Sequence, residues 1–564
     1  MDIETEKGLR LEVTGRELTG PLRAAELNGR RRGRPHWGNF LLGLPAGLLL
    51  ALLIVPMAWT VGWAFRADLA DLFTDPGALR SAWHSVLWMG IALVLIVVGY
   101  VIAVLSRQVG RLWRVLLYVL ILPFGVSAVV SGAVFRLVFD PNPERGMASA
   151  LFGGSVTWLG PDLIWWVLAS AFAWSWLGFV VVLFRAGLDA TGGPGFRLGR
   201  LTLPRPGPVT SIVVLTVLVA AIRVFDLVLI ATPGSIQDDV DVMGLHWWRM
   251  TSRGDDPGGP ALLAVLLFLV VALVAAAGMR TMRRPEQMEL LRAGLTATTA
   301  GTAPRWWGRP LVVLVGLLWL LPIVVLVATA FHSPAAAGSL GWWHLTGLGL
   351  GSFAEAGATW LWPAVAGSLM IAGLATALVL AAAVPAAYLL TWVVPQRVSP
   401  VLTAVLTILA VAPVQMYAGP LGDLFAALGL VGSRAPLALV HAAAGLPFAT
   451  LVLRTAFLAA PRRAEDDGHP SFDKMWRRGP YRTTLIAVVV LEFVLVWNDF
   501  IVGFLVSGPG TSPLTLLLWG EARQFGTSAG TVAASAVVSA LIPVVLLLAT
   551  WRKVVVGLTG GIAR

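Results

Sequence analysis

The sequence predicts an all-α integral membrane protein of about twelve transmembrane helices, laid out as two tandem six-helix halves. Three observations carry this expectation. The chain is 57% hydrophobic and only 13% charged, with mean hydropathy +0.81, so its apolar surface exceeds what one soluble core could hide. Twelve stretches approach the roughly 20 apolar residues that cross about 30 Å of hydrocarbon. Finally, polar and aromatic motifs of the first half return in the second at nearly constant spacing.

The elements follow in order. Residues 1–37 hold Lys7, Arg10, Arg16, Arg23, Arg30, Arg31, Arg32 and Arg34 ahead of the first apolar run. This charged region is longer than that of a secretory signal and reads as a retained cytoplasmic tail. Residues 38–280 form the first half, with spans near 40–65, 86–105, 115–135, 163–184, 209–230 and 261–278. Residues 281–309, polar and rich in Ala, Thr, Gly and Arg, read as a linker. Residues 310–564 form the second half, with spans near 311–331, 365–394, 401–418, 437–458, 485–506 and 532–551.

Lys and Arg are retained in cytoplasmic loops close to helix ends. Thirty-two of them fall on one side of this arrangement and eight on the other, leaving Arg223 inside a span. Both termini are expected to be cytoplasmic. The net charge of +11 is therefore a topology signal, and no single stripe suggests nucleic acid. Cysteine is absent, which excludes disulfides, thiolate metal sites and cysteine nucleophiles.

The repeat is legible in detail. Leu177-Gly178-Phe179 precedes Arg185 as Leu446-Pro447-Phe448 precedes Arg454, and Phe225-Asp226 follows Pro204 as Asn498-Asp499 follows Pro480. Six spans separate equivalent points, so the copies are parallel repeats about an axis along the membrane normal.

Charged groups within spans are costly and usually face a cavity or a partner. Arg223 and Asp226, three residues apart on the fifth span, can share one helix face; they are either a structural ion pair or part of a pathway. Glu492, Asn498 and Asp499 occupy the corresponding region of the eleventh span. Trp174, Trp176 and Trp497 lie deep in spans, where aromatic faces serve sugar stacking or core packing; Trp165 and Trp166 read as interfacial. Two basic cytoplasmic loops, 185–208 and 454–480, are long and equivalently placed, which suggests docking of a cytoplasmic partner.

None of the three lysines sits in a phosphate-binding P-loop. The seven histidines lack metal-ligand spacing and are read as structural. Asp238, Asp239 and Asp241 read as a hydrated external loop.

Taken together, these motifs resemble the permease subunits of carbohydrate ABC importers of the maltose and α-glucoside type. Trp497-Asn498-Asp499-Phe500 with Glu492 and Gly508-Pro509-Gly510, Ala412-Pro413-Val414-Gln415, and Gly445-Leu446-Pro447-Phe448 are similar to the second permease subunit. Phe139-Asp140-Pro141-Asn142-Pro143, Trp176-Leu177-Gly178-Phe179 and Val224-Phe225-Asp226 are similar to the first. The resemblance implies both subunits fused through 281–309, with the fold of a type I importer.

It further implies a substrate pathway carried by Trp174, Trp176, Arg223, Phe225, Asp226, Glu492, Trp497, Asn498 and Asp499. The implied partners are a cytoplasmic ATPase dimer, an extracytoplasmic solute-binding protein, a carbohydrate and the lipid bilayer of a bacterial plasma membrane. The chain itself is then no enzyme and holds no cofactor; ATP and Mg belong to the partner ATPase. In this family a cytoplasmic coupling helix with a Glu-Ala-Ala then Asp-Gly signature docks on the ATPase. Here Ala464, Glu465, Asp467 and Gly468 keep a shortened form of it, while Thr191-Gly192-Gly193-Pro194-Gly195 replaces it in the first half, near Arg197 and Arg200. Two rival expectations are an ion-coupled secondary carrier, which shares the twelve-helix repeat, and a membrane glycosyltransferase using external carboxylates.

Overall fold

The computed structural model describes residues 37–107, 113–153, 156–191, 196–198, 201–203, 209–254, 256–282, 308–459, 481–523 and 529–558. The chain divides into a short unit, Met1–Leu42, and a large one, Gly43–Arg564. In the first, residues 37–42 are helical.

Helices make up nearly all of the described structure. Those that matter here are α1 (Trp37–Ala64), α2 (Pro76–Ser106), α3 (Trp113–Ile121), α4 (Ala128–Val138), α5 (Ile164–Thr191), α6 (Val209–Ile222), α7 (Asp226–Ala231), α8 (Met243–Ser252) and α9 (Gly258–Met282). After residue 308 come α10 (Gly308–Ala330), α11 (Leu361–Tyr388), α12 (Ser399–Ala410), α13 (Ala435–Ala459), α14 (Tyr481–Asn498), α15 (Ile501–Val506), α16 (Leu514–Arg523) and α17 (Ala529–Leu558). A two-stranded antiparallel ribbon, β1 (Phe196–Leu198) with β2 (Leu201–Leu203), pairs Phe196 with Leu203. It lies where Gly and Pro oppose a helix.

Among the described residues, nine helices are long and apolar enough to cross a membrane, and α3 with α4 forms a tenth candidate bent by 105°. The protein is a multi-pass membrane protein. α2 illustrates the pattern. Asp75 caps its first turn by accepting the Gly77 N–H at 2.9 Å, with Pro76 at the first helical position. One side of α2 then buries Trp88, Ala92, Leu95 and Ala103, and the other turns Val94 and Val97 outward, where lipid rather than water meets them.

Four expected spans are not single straight helices. The third breaks at Leu122–Gly125, where Pro123 and a 3₁₀ turn interrupt the ladder. The fifth splits into α6 and α7, and the eleventh into α14 and α15. The ninth shortens to α12, 12 residues long, followed by Pro413 and a 3₁₀ turn, Val414–Met416. A hydropathy window measures length and apolarity and is blind to such breaks.

Two large cores each draw on both ends of the chain. One gathers α2, α4, α5, α6 and α7, together with Val325, Leu326 and Ala330 of α10 and Val532, Ala533 and Ala536 of α17. The other gathers α11, α13 and α14, together with Leu49, Leu53 and Met57 of α1 and Leu263, Leu267 and Val271 of α9. The first and last helices on either side of residues 281–309 are thus exchanged between cores.

Candidate translocation site

The breaks position the site. Backbone that leaves the helical ladder at membrane depth persists only where protein covers it or a cavity accepts it. Ser127 Oγ accepts the Val130 N–H at 3.2 Å and restarts α4. Asp499 restarts the eleventh span: its Oδ2 accepts the N–H groups of Val502 at 2.9 Å and Gly503 at 3.4 Å. Asp226 opens α7 after Phe225 adopts φ −144°, ψ −60°. The two aspartates therefore occupy corresponding places, each at the head of a short helix after a broken span.

The breaks converge. Asn498 Nδ2 donates to the Gly125 carbonyl at 3.0 Å, joining the eleventh span to the break in the third. Arg223, Asp226 and Asp499 act on one another electrostatically, and Tyr417, just past the break in the ninth span, feels both Arg223 and Asp499. Arg223 is exposed and Asp226 partly so. Since α6 ends at Ile222, the expected helical pairing of Arg223 with Asp226 on one face does not form; the break sets their relation instead.

A small pocket beside Asp499 is lined by Ser368, Leu437, His441 and Pro513 among others. His441 Nε2 lies 3.8 Å from Asp499 Oδ2.

The remaining expected residues are placed differently. Trp174 is 4% exposed, and its Nε1 donates to the Trp319 carbonyl at 3.0 Å, while Trp319 Nε1 donates to the Leu120 carbonyl at 3.3 Å. Its indole fastens α5 to α10. Trp497 is also buried, stacked on Phe493 at 5.9 Å and donating to the Ser539 carbonyl at 2.9 Å. Trp176 is half-buried in an aromatic cluster with Phe124, Phe172 and Phe179. Phe225 is buried against Phe504.

Glu492 is 2% exposed, and its carboxylate lies where a Cβ on Gly445 would sit; among the described residues Oε1 has no hydrogen-bond partner. It occupies the core between α13 and α14 and does not join the Asp226–Asp499 group.

At the opposite end of α5 and α13, a second correspondence appears. Arg185 Nη1 donates to Ser106 Oγ at 3.1 Å, and Arg454 Nη2 donates to Ser399 Oγ at 3.1 Å. The matched arginines of the repeat make similar bonds, one to the last residue of α2 and the other to the first residue of α12. Arg197 lies on β1; Arg200, Ala464, Glu465, Asp467 and Gly468 lie outside the described residues.

Sequence reasoning missed two groupings. His441 reads in sequence as one of several scattered histidines, and only packing brings α13 to Asp499. His246 bridges Asp241 Oδ2 through Nδ1 and Asp75 Oδ2 through Nε2, both at 3.1 Å, and Arg249 binds Asp238 and Asp241. The acidic loop expected to be merely hydrated is thus partly structural: Asp241 is buried and its carbonyl accepts from His84 Nδ1 at 2.7 Å. Among the described residues no cluster suits a metal ion.

No family model matches the chain. Relatives match it in part. The chain is 28% identical over 266 residues to the osmoprotective compounds uptake permease protein GgtD of Synechocystis sp., covering 44% of this chain and 88% of the relative. It is 23% identical over 206 residues to a probable ABC transporter permease protein of Pyrococcus horikoshii, covering 33% of this chain and 70% of the relative. It is 23% identical over 271 residues to the trehalose/maltose transport system permease protein MalF of Thermococcus litoralis, covering 41% of this chain and 89% of the relative. Each match takes in most of the relative and less than half of this chain, which leaves room for two such units in tandem.

Proposed function

We propose, from the fused ATP-binding-cassette permease components that make up this chain, that it is the transmembrane permease of a carbohydrate importer. The observation that carries the reading is the convergence of paired broken spans, with Asp226 and Asp499 in matching places at the meeting of the two halves. A parallel repeat of this kind suits a path along the pseudo-symmetry axis, opened alternately to each side as the halves rock. The halves are 38–280 and 310–564, joined by 281–309, with the tail 1–37 and both termini in the cytoplasm of a bacterium.

The cargo would be an oligosaccharide, of the α-glucoside kind expected from the sequence or of the trehalose/maltose kind that one relative's name includes. Arg223, Asp226, Asn498 and Asp499 supply hydrogen-bonding groups, and the half-buried Trp176 an aromatic face. The chain performs no covalent chemistry. Force would come from a separate ATPase dimer acting on the loops after α5 and α13, where Arg185 and Arg454 tie those helices to the neighbouring corners. An extracytoplasmic binding protein would deliver the sugar.

Reconstitution tests this reading. The chain, copurified with its ATPase and supplied with binding protein, should take up labelled maltose or trehalose only with ATP, and deletion of residues 464–468 should abolish uptake. Uptake without an ATPase that collapses with the ion gradient would establish the carrier instead.

A further inference from the structure

We propose that His441 and Asp499 form a hydroxyl-reading subsite, so that the second half touches the cargo directly and His441 is a specificity-determining residue. The proposal rests on the importer reading above and deepens it. Both residues line the same cavity, His441 from α13 and Asp499 from the break after α14.

At 3.8 Å, His441 Nε2 and Asp499 Oδ2 are too far apart for a direct hydrogen bond, which runs about 2.7–3.2 Å. A third atom about 2.8 Å from both would see them at nearly a right angle. That atom must accept from one side and donate to the other. Imidazole Nε2–H donates, and an ionised carboxylate only accepts. An alcohol is the simplest group that does both, since its oxygen takes the imidazole proton bond while its own hydrogen goes to the carboxylate.

The surroundings favour a neutral polyol over an ion. The Asp499 carboxylate is held by the Val502 and Gly503 N–H groups and also lies in the field of Arg223, which opposes a cationic cargo, while Asp226 and Asp499 together repel an anion. Ile371, Leu437 and Val496 complete the wall, which leaves space for about one hydroxyl group. Among the described residues the His441 ring makes no other hydrogen bond, although it is 10% exposed.

The test uses the full chain with its ATPase and binding protein in proteoliposomes, with labelled maltose, trehalose and a series of monodeoxy maltoses as probes. His441→Leu should raise the KM for the preferred sugar about tenfold, while His441→Gln, which keeps an N–H donor, should recover most of the loss. One deoxy position should be penalised in the wild type and no longer penalised in His441→Leu. Independently of uptake, saturating sugar should slow carbethoxylation of His441 by diethyl pyrocarbonate, read by peptide mass spectrometry. An unchanged KM together with an unchanged deoxy profile in His441→Leu overturns the subsite, as does unprotected carbethoxylation where that variant fails to assemble. Wild-type protein that transports none of these sugars sinks the importer reading and the subsite with it; wild-type uptake indifferent to His441 sinks the subsite alone.

Discussion

Asn498 shows how a single side chain can hold two broken spans together. Its amide reaches the Gly125 carbonyl from 373 residues away, and that carbonyl belongs to a 3₁₀ turn with no helical partner to fall back on. Asn498→Ala should therefore cost about 1–3 kcal/mol of stability, read as a lowered Tm in detergent. Gly445 is constrained from the opposite direction, because any side chain there meets the Glu492 carboxylate. Gly445→Val should destabilise by about 1–3 kcal/mol through overpacking, and Glu492→Ala should relieve part of that cost in the double variant.

His246 supplies the pH dependence. Burial alone disfavours its charge, yet the bonds and charges of Asp241 and then Asp75 outweigh burial and hold its pKa above the ordinary imidazole value. Asp75 is partly buried too, and the Gly77 N–H and His246 nevertheless hold its carboxyl below the usual carboxylate range. A raised imidazole pKa means the folded state binds the proton more tightly. Its contribution is complete below the unfolded value of about 6.5 and is lost as pH rises through the raised value. The Asp75 contribution is present above about 3.9 and fades as pH falls. Thermal unfolding followed from about pH 6 to about pH 9 should show a loss of Tm in the wild type that His246→Gln lacks.

At the level of elements, much was legible in the sequence, and what was not has physical reasons. Among the described residues, the apolar runs marked the nine long helices, the bent pair α3 and α4, and the shorter apolar helices α6 and α12. The break at Leu122–Gly125 could have been read from Pro123 and Gly125, and that after α12 from Pro413. The break at Arg223–Phe225 carries neither proline nor glycine, so tertiary context alone sets it. Trp174 and Trp497 illustrate the same limit: a deep indole suits a sugar or a core equally well in sequence, and the carbonyls of Trp319 and Ser539 become visible only when α10 and α17 are in place. His441 met Asp499 by the same route.

The capped breaks are testable as elements. Asp499→Ala removes the acceptor for two N–H groups of α15 and should cost about 0.5–2 kcal/mol; Asp499→Asn keeps an acceptor and should cost less, with hydrogen exchange at residues 501–506 reporting the difference. The corner bonds give a functional counterpart. Arg454→Met and Ser399→Ala should each leave the protein assembled yet lower the sugar carried per ATP hydrolysed, and the two together should cost little more than either alone, as expected for partners in one bond.

Across the whole molecule, exchanged helices make the halves depend on each other. Neither large core is complete without helices from beyond residues 281–309. Residues 1–290 and 300–564, made as separate chains, should copurify when coexpressed, and each should be aggregation-prone alone because the other's helices would leave apolar interior uncovered.

The exchanged helices also bear on how such a chain can diverge. Two separate subunits with this packing would face a pairing problem, since either could meet its own kind and bury similar surface in a like-with-like dimer. Covalent tethering fixes the ratio at one to one and raises the local concentration of the right mate over any wrong one. Freed from selecting its companion, each half can accumulate changes that a self-pairing subunit could not tolerate.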